Sequence, residues 1–185
     1  MKKTILKFGF ISGGIFAAFI FCVLPFQHRS FEYGLLLGYT AMVVSFLMVF
    51  FGIRSYRNNV SGGQITFGKA FLVGILITLI SCACYVIAWE ITYFFFVPDF
   101  LDKYAAHTIE KLRAQGQSQQ VIDATVQQMK DFKVMYNNPM FNAAITFIEP
   151  FPVGFVITLI SAAILRKKRA DGVRSDKPDY SGAQA

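Results

Sequence analysis

Charge is scarce in this chain. Only 16% of its 185 residues are Asp, Glu, Lys or Arg, against about 25% in an ordinary soluble domain. Stretches of more than twenty residues carry no base and at most one acid, which excludes an ordinary water-facing surface. Reactive groups are scarce too. The two histidines, His28 and His107, stand far apart in polar segments. The three cysteines, Cys22, Cys82 and Cys84, all lie in apolar runs, where cysteine behaves as a small hydrophobe. Cys82 and Cys84 fall on different faces of a helix, so they are not a ligand pair. No Gly-rich phosphate loop, Ser-His-Asp set or Cys-His set is visible. An enzyme needs a converging set of reactive groups, so a catalytic reading is disfavoured and no cofactor or metal is expected.

What the chain has is apolar length. Four runs cover about 5–25, 33–53, 70–97 and 139–165. At ~1.5 Å per residue each can cross a hydrocarbon core of roughly 30 Å. The expectation is an all-α, polytopic membrane protein with four transmembrane helices. The 21 phenylalanines suit a lipid-facing surface. The first run follows Lys2 and Lys3 but is too long for a signal-peptide core, with no small-residue cleavage pattern after it, so it reads as a retained span.

The net charge of +7 has a location. The N-terminus, the loop after the second run and the C-terminal tail carry twelve bases and three acids. The other two connections carry six of each. An even number of crossings puts the basic regions on one side. The positive-inside rule then places both termini and the second loop in the cytoplasm of a cell whose inner membrane holds the protein. The basic flanks would meet anionic lipids. Charge spread over three short flanks is a poor nucleic-acid footprint, so none is expected as a partner. Residues 1–169 read as one transmembrane domain, and 170–185 as a disordered cytoplasmic tail.

Several small residues are spaced for helix packing. Gly9 and Gly13 form one Gly-x-x-x-Gly pair, and Gly34 and Gly38 another. Such pairs let helix backbones approach closely, within one chain or in a homodimer. A longer signal is an internal repeat. Phe71–Ala83 aligns without gaps with Phe151–Ala163, on spans that cross in opposite directions. Gly74, Thr78 and Ser81 match Gly154, Thr158 and Ser161. Each set draws a small, weakly polar stripe suited to a close antiparallel pair. The connection 98–138 carries two apolar stripes separated by Gly116-Gln117-Ser118. It reads as a helical hairpin outside the cytoplasm, with Ser118 as an N-cap and a protein partner as the sharper expectation.

Glu90 and Glu149 are the only acids inside the runs. Acids at membrane depth usually pair, protonate or face water. Glu90 lies ~30 Å along a helix from Lys69, near the outer interface, with Trp89 and Tyr93 beside it as an aromatic belt would be. Glu149 lies ~24 Å from Arg166, and Pro150 and Pro152 follow it. The prolines remove two backbone donors and predict a kink or break. Glu90, Glu149, Pro150 and Pro152 therefore mark a candidate polar pocket.

The chain also resembles a known family. Gly63-Gln-Ile-Thr-Phe-Gly-Lys-Ala-Phe71, Pro98-Asp-Phe100, Tyr136-Asn-Asn-Pro139, Glu149-Pro-Phe-Pro-Val-Gly154, Leu159-Ile-Ser161 and Arg166-Lys-Lys168 occur in order. Together they look like the bacterial membrane proteins of domain-of-unknown-function family 4199. The resemblance implies four spans in a bacterial inner membrane and no established activity or cofactor. The function expected is that of a non-enzymatic scaffold or regulatory membrane protein. The alternative is a small dimeric permease or ion-coupled carrier using Glu90 and Glu149.

Overall fold

The structure is a computed structural model that describes residues 1–23 and 31–167; the side chains of residues 23 and 31–35 lie outside the description. His28, Arg29 and the tail 170–185 therefore fall outside the described residues. Among the described residues, seven α-helices follow one another: α1 (Lys2–Val23), α2 (Phe31–Asn59), α3 (Phe67–Ile91), α4 (Phe100–Ala114), α5 (Gln119–Tyr136), α6 (Pro139–Ile148) and α7 (Pro150–Leu165). A π-helical turn, Thr92–Phe96, extends α3. Among the described residues, four stretches are helical, long and apolar enough to cross a membrane: Lys2–Cys22, Leu36–Asn59, Phe67–Phe96 and Pro139–Leu165. The chain is a multi-pass membrane protein. Helices are what apolar runs must form in hydrocarbon, because each backbone donor and acceptor has to be satisfied within its own segment.

Local chemistry sets the ends. Thr66 has extended backbone and its hydroxyl accepts from the Lys69 amide, capping α3. The tight turn before it uses Gly62 (φ 64°) and Gly63 (φ 80°), a conformation that residues with a Cβ rarely adopt. Asn138 caps α6 by accepting from the Met140 amide, with Pro139 in the first helical position. Ser118 is the N-cap residue of α5 by its backbone, but its side chain makes no capping bond.

The fourth span is interrupted at a single residue. Glu149 ends α6 and precedes α7 while keeping right-handed helical angles (φ −64°, ψ −59°). Pro150 and Pro152 thus occupy the first turn of α7, where missing amides cost least. The two prolines point differently: Pro150 is buried and Pro152 is exposed.

α3 is the hub, packing on α1, α2, α6 and α7. Contacts between α1 and α3 climb together: positions 9 with 80, 13 with 84 and the Phe16 ring with Tyr85. Those two helices run in the same direction. α1 and α2 run oppositely, since Ser12 donates to the Ser45 carbonyl at 2.8 Å while Gly52 lies against Phe8. The core is Phe16, Phe46, Val49, Ile53, Val73, Ile77 and Ala162. Phe16 and Phe46 meet edge to face at 5.3 Å.

One end of the bundle is closed by backbone. The Ile65 amide donates to the Lys167 carbonyl at 3.1 Å, and the Lys167 amide donates back at 2.9 Å. This isolated antiparallel bridge is the only strand-like pairing among the described residues. Ile65 is buried there. Arg57 donates to the Leu165 carbonyl beside it. The starts of α1 and α3 and the ends of α2 and α7 all gather at this end. Lys2, Lys3, Lys7, Arg54, Arg57, Lys69, Arg166 and Lys167 share it with no described acid.

A polar seam between the third and fourth spans

The two halves of the fourth span meet α3 through different chemistry. In the α7 half the contact is tight and nearly dry. A Cβ placed on Gly74 would stand 2.8 Å from Thr158 Cγ2 and 2.9 Å from Ile53 Cδ1. A Cβ on Gly154 would stand 2.5 Å from Thr78 Cγ2 and 2.7 Å from Phe46 Cζ. The glycine of each repeat therefore receives the threonine of the other. The two threonine hydroxyls share a buried hydrogen bond of 2.9 Å. Ser81 does not join this pair. It donates to the Ile77 carbonyl at 2.9 Å and to the Gly9 carbonyl of α1 at 3.4 Å. Ser161 is buried on α7.

The first glycine pair splits from the second. Gly9 and Gly13 lie against Ile80 and Cys84 of α3, so both are close-packing positions. Gly38 has nothing within 4 Å of where its Cβ would stand, so no described neighbour packs on it. Gly34 is helical, but its surroundings lie outside the described residues. The spacing of four says that a helix has a small surface. It does not say that a neighbour uses it.

In the α6 half the contact is polar. Asn142, Thr146 and Glu149 lie at i, i+4 and i+7 on α6, one stripe of a helix. Tyr85, Trp89 and Tyr93 repeat every four residues on α3. Tyr85 donates to Glu149 Oε2 at 3.1 Å. Trp89 Nε1 donates to the Tyr136 hydroxyl at 2.9 Å, and Tyr136 meets Thr146 at 3.5 Å. Thr146 then donates to Asn142 Oδ1 at 3.0 Å. The direction of this chain is set at one end. An indole nitrogen can only donate, so the Tyr136 oxygen accepts; Thr146 gives its single proton to Asn142, which leaves the Tyr136 proton to turn to Thr146. Tyr93 extends the seam by donating to Asn137 Oδ1 at 2.9 Å.

Two polar atoms in this region are buried without a hydrogen-bond partner among the described residues, Asn142 Nδ2 and Glu90 Oε1. Asn142 is fully buried. Glu149, by contrast, is exposed on the surface of the bundle and held at one oxygen only. Among the described residues, Glu90 and Glu149 share no hydrogen bond. Tyr136 is the central hydroxyl of the seam. Burial pushes that phenol above its ordinary value, the bonds with Thr146 and Trp89 oppose this, and the carboxylates of Glu149 and Glu90 add to it. Among the described residues, no three His, Cys, Asp or Glu side chains converge as a metal site would require.

Aromatic rings fill the space around the seam. Tyr93 and Tyr136 are 5.2 Å apart edge to face, and Trp89 meets Phe100 at 5.3 Å. Leu101 is buried with them, so the root of α4 belongs to the same cluster. Lys133 of α5 pairs with Asp102 of α4.

The seam was partly readable. A polar residue at every helical turn of an apolar α6 segment is a visible stripe. Its partner Tyr85 is not, because nothing in the spacing names a contact across 64 residues, and nothing names the Trp89–Tyr136 contact across 47. No curated protein and no solved structure matches this chain. The family model described as "Protein of unknown function (DUF4199)" matches residues 7–167, nearly the whole of the helical bundle, and the chain belongs to that family.

Proposed function

We propose that this protein is a non-enzymatic scaffold or regulatory protein of a bacterial inner membrane, acting through α4 and α5 as a helical hairpin outside the cytoplasm. The observation that carries the reading is where the polar side chains are used. Trp89–Tyr136, Tyr93–Asn137 and Asp102–Lys133 bonds fasten α4 and α5 to the bundle and to each other. They leave solvent-exposed positions on the hairpin, Gln120 and Gln128 among them, where a partner could bind. The gathered bases at the opposite end support cytoplasmic termini and contact with anionic headgroups there.

Topology is the first test. A cysteine at Gln117 should react with an impermeant maleimide in intact cells, and one at Ser61 should not. Reaction at Ser61 from outside would reverse the orientation and remove the hairpin from the outer side. The partner is tested by photo-crosslinking amino acids at the exposed positions Gln120 and Gln128. A discrete adduct in cells is expected from at least one. No adduct from either would count against the scaffold.

A second reading, a small dimeric ion-coupled carrier, is favoured by the unpartnered Glu90 oxygen and by Glu149 having a phenol and no described base beside it. In proteoliposomes the Glu149→Gln variant separates the two. The scaffold reading expects normal folding of the variant and no saturable, gradient-driven uptake by the wild type. Uptake by the wild type that the variant abolishes would establish the carrier instead.

A further inference from the structure

α4, α5 and α6 hold one another. Lys133 of α5 pairs with Asp102 of α4. α5 passes into α6 across Asn137 and Asn138, whose amides donate to the Lys133 and Met135 carbonyls at 3.0 and 3.1 Å, and Phe132 meets Phe141. The chain enters and leaves this unit at two irregular points. α3 runs out through its π-helical turn, where the Val97 amide donates to the Thr92 carbonyl at 3.0 Å. Val97 then leaves helical angles (φ −137°, ψ 56°) before Pro98. α6 passes into α7 at Glu149, where Pro150 and Pro152 deny the Thr146 and Ile148 carbonyls their helical donors. π-turns and prolines are where helices bend. α7, by contrast, is pinned to the bundle by the Thr78–Thr158 bond and the Ile65–Lys167 bridge.

Three bonds fasten the unit to one stripe of α3, and all run the same way. Tyr85, Trp89 and Tyr93 donate; Glu149, Tyr136 and Asn137 accept. α3 thus offers donors to a unit whose own buried donor, Asn142 Nδ2, is left without an acceptor. The other orphan has the opposite sense: Glu90 Oε1, on α3, is a buried acceptor without a donor. The two stand at nearly one height. α3 and α6 run oppositely, with Tyr85 bonded to Glu149. Asn142 lies seven residues from Glu149 and Glu90 five from Tyr85, on the same side of that bond. Two residues of helix are about 3 Å. What separates them is rotation, since Glu90 follows Trp89 by roughly 100° around α3. Glu90 is near enough for its charge to act on Tyr136, so the unit already reaches its side of α3.

We propose that α4, α5 and α6 form a lever, hinged at residues 92–98 and 149–150, with two seatings on α3. One is the seating on Tyr85, Trp89 and Tyr93. The other is rolled around α3 so that Asn142 donates to Glu90. Each seating satisfies groups that the other leaves unpaired, and such a balance keeps two packings close in free energy. A movement of the hairpin is thereby a movement of half of the fourth span, while the α7 half stays fixed. The lever needs no partner on the hairpin and stands apart from the scaffold reading. A molecule that grips α5 selects one seating.

The test is a distance measurement by pulsed electron–electron resonance in nanodiscs of a phosphatidylethanolamine and phosphatidylglycerol mixture. Nitroxides go on the exposed Cys22 of α1 and on Gln128→Cys of α5, in a Cys84→Ala background that leaves only the buried Cys82 unlabelled. Tyr136→Phe takes the acceptor from Trp89 and loosens the first seating. It should raise the share of a second distance several-fold over the wild type. Adding Asn142→Leu removes the donor that the second seating serves and should abolish that distance. One and the same distance in the wild type and in Tyr136→Phe would overturn the lever, and an ordered water would then serve the two orphans. A second distance that survives Asn142→Leu would overturn the pairing with Glu90. Trp89→Phe, which opens the same bond from the α3 side, replaces Tyr136→Phe if that variant does not fold, and the same outcomes decide.

Discussion

Gly154→Leu should destabilise the bundle by about 1–3 kcal/mol, with Gly74→Leu close behind. Even a Cβ at Gly154 would stand 2.5 Å from Thr78 Cγ2 and 2.7 Å from Phe46 Cζ, and both neighbours are fully buried. Phe46 cannot retreat easily, because its ring is wedged against Phe16. A leucine adds three further carbons to that clash. The helices would have to separate, and the Thr78–Thr158 bond would stretch or break. Membrane hydrogen bonds of this kind contribute about 0.6 kcal/mol on average, so most of the loss comes from packing. The measurement is thermal or denaturant unfolding in a fixed detergent, with Gly14→Leu as the control. Gly14 has nothing within 4 Å of its would-be Cβ and should tolerate the change. Equal stability of the Gly154 and Gly14 variants would mean that α3 and α7 do not pack as described.

Tyr136→Phe should be the most damaging single-atom deletion, at about 1–3 kcal/mol. The hydroxyl accepts from Trp89 and donates to Thr146, so its loss leaves a half-buried indole donor with no acceptor and cuts the chain at its middle. The phenyl ring keeps its packing against Tyr93 and Phe132, which isolates the polar contribution. Trp89→Phe is the informative companion. It removes the donor together with its need, and leaves Tyr136 bonded to Thr146, so the polar loss should be smaller. Amide hydrogen exchange should localise the effect of Tyr136→Phe to the last turns of α5 and the first of α6. Exchange and stability equal to the wild type would show that the seam holds nothing in place.

What could be read from residues alone follows from the range of the interactions. The spans are local: a run of apolar residues must be a helix in hydrocarbon wherever it sits. The α3–α7 contact was readable because the chain writes it twice, as the matching Gly74, Thr78 and Gly154, Thr158. Gly13 and Gly38 show the limit. They stand in identical four-residue spacings, yet one meets Cys84 and the other meets nothing. Only the three-dimensional arrangement of four helices separates them. The same holds for Glu149. Its depth was calculable from Arg166, but its single partner, Tyr85, was set by the rotation of α3, which an evenly apolar helix does not reveal.

The Ile65–Lys167 bridge has a consequence for the whole second half of the molecule. Its two hydrogen bonds close an excursion on the order of 100 residues, and alone they could not offset the entropy of closing so long a loop. The packing of α3 against α7 has already brought the ends together, so the bridge forms at little further cost. It then acts as a vernier. Both bonds require one register between the start of α3 and the end of α7. Sliding either helix by one residue moves its end by about 1.5 Å and rotates it by roughly 100°, which breaks both bonds at once. The register in which each glycine meets the opposing threonine is thus the same one that, some twenty ångströms or less along the helices, lets the backbones of Ile65 and Lys167 pair.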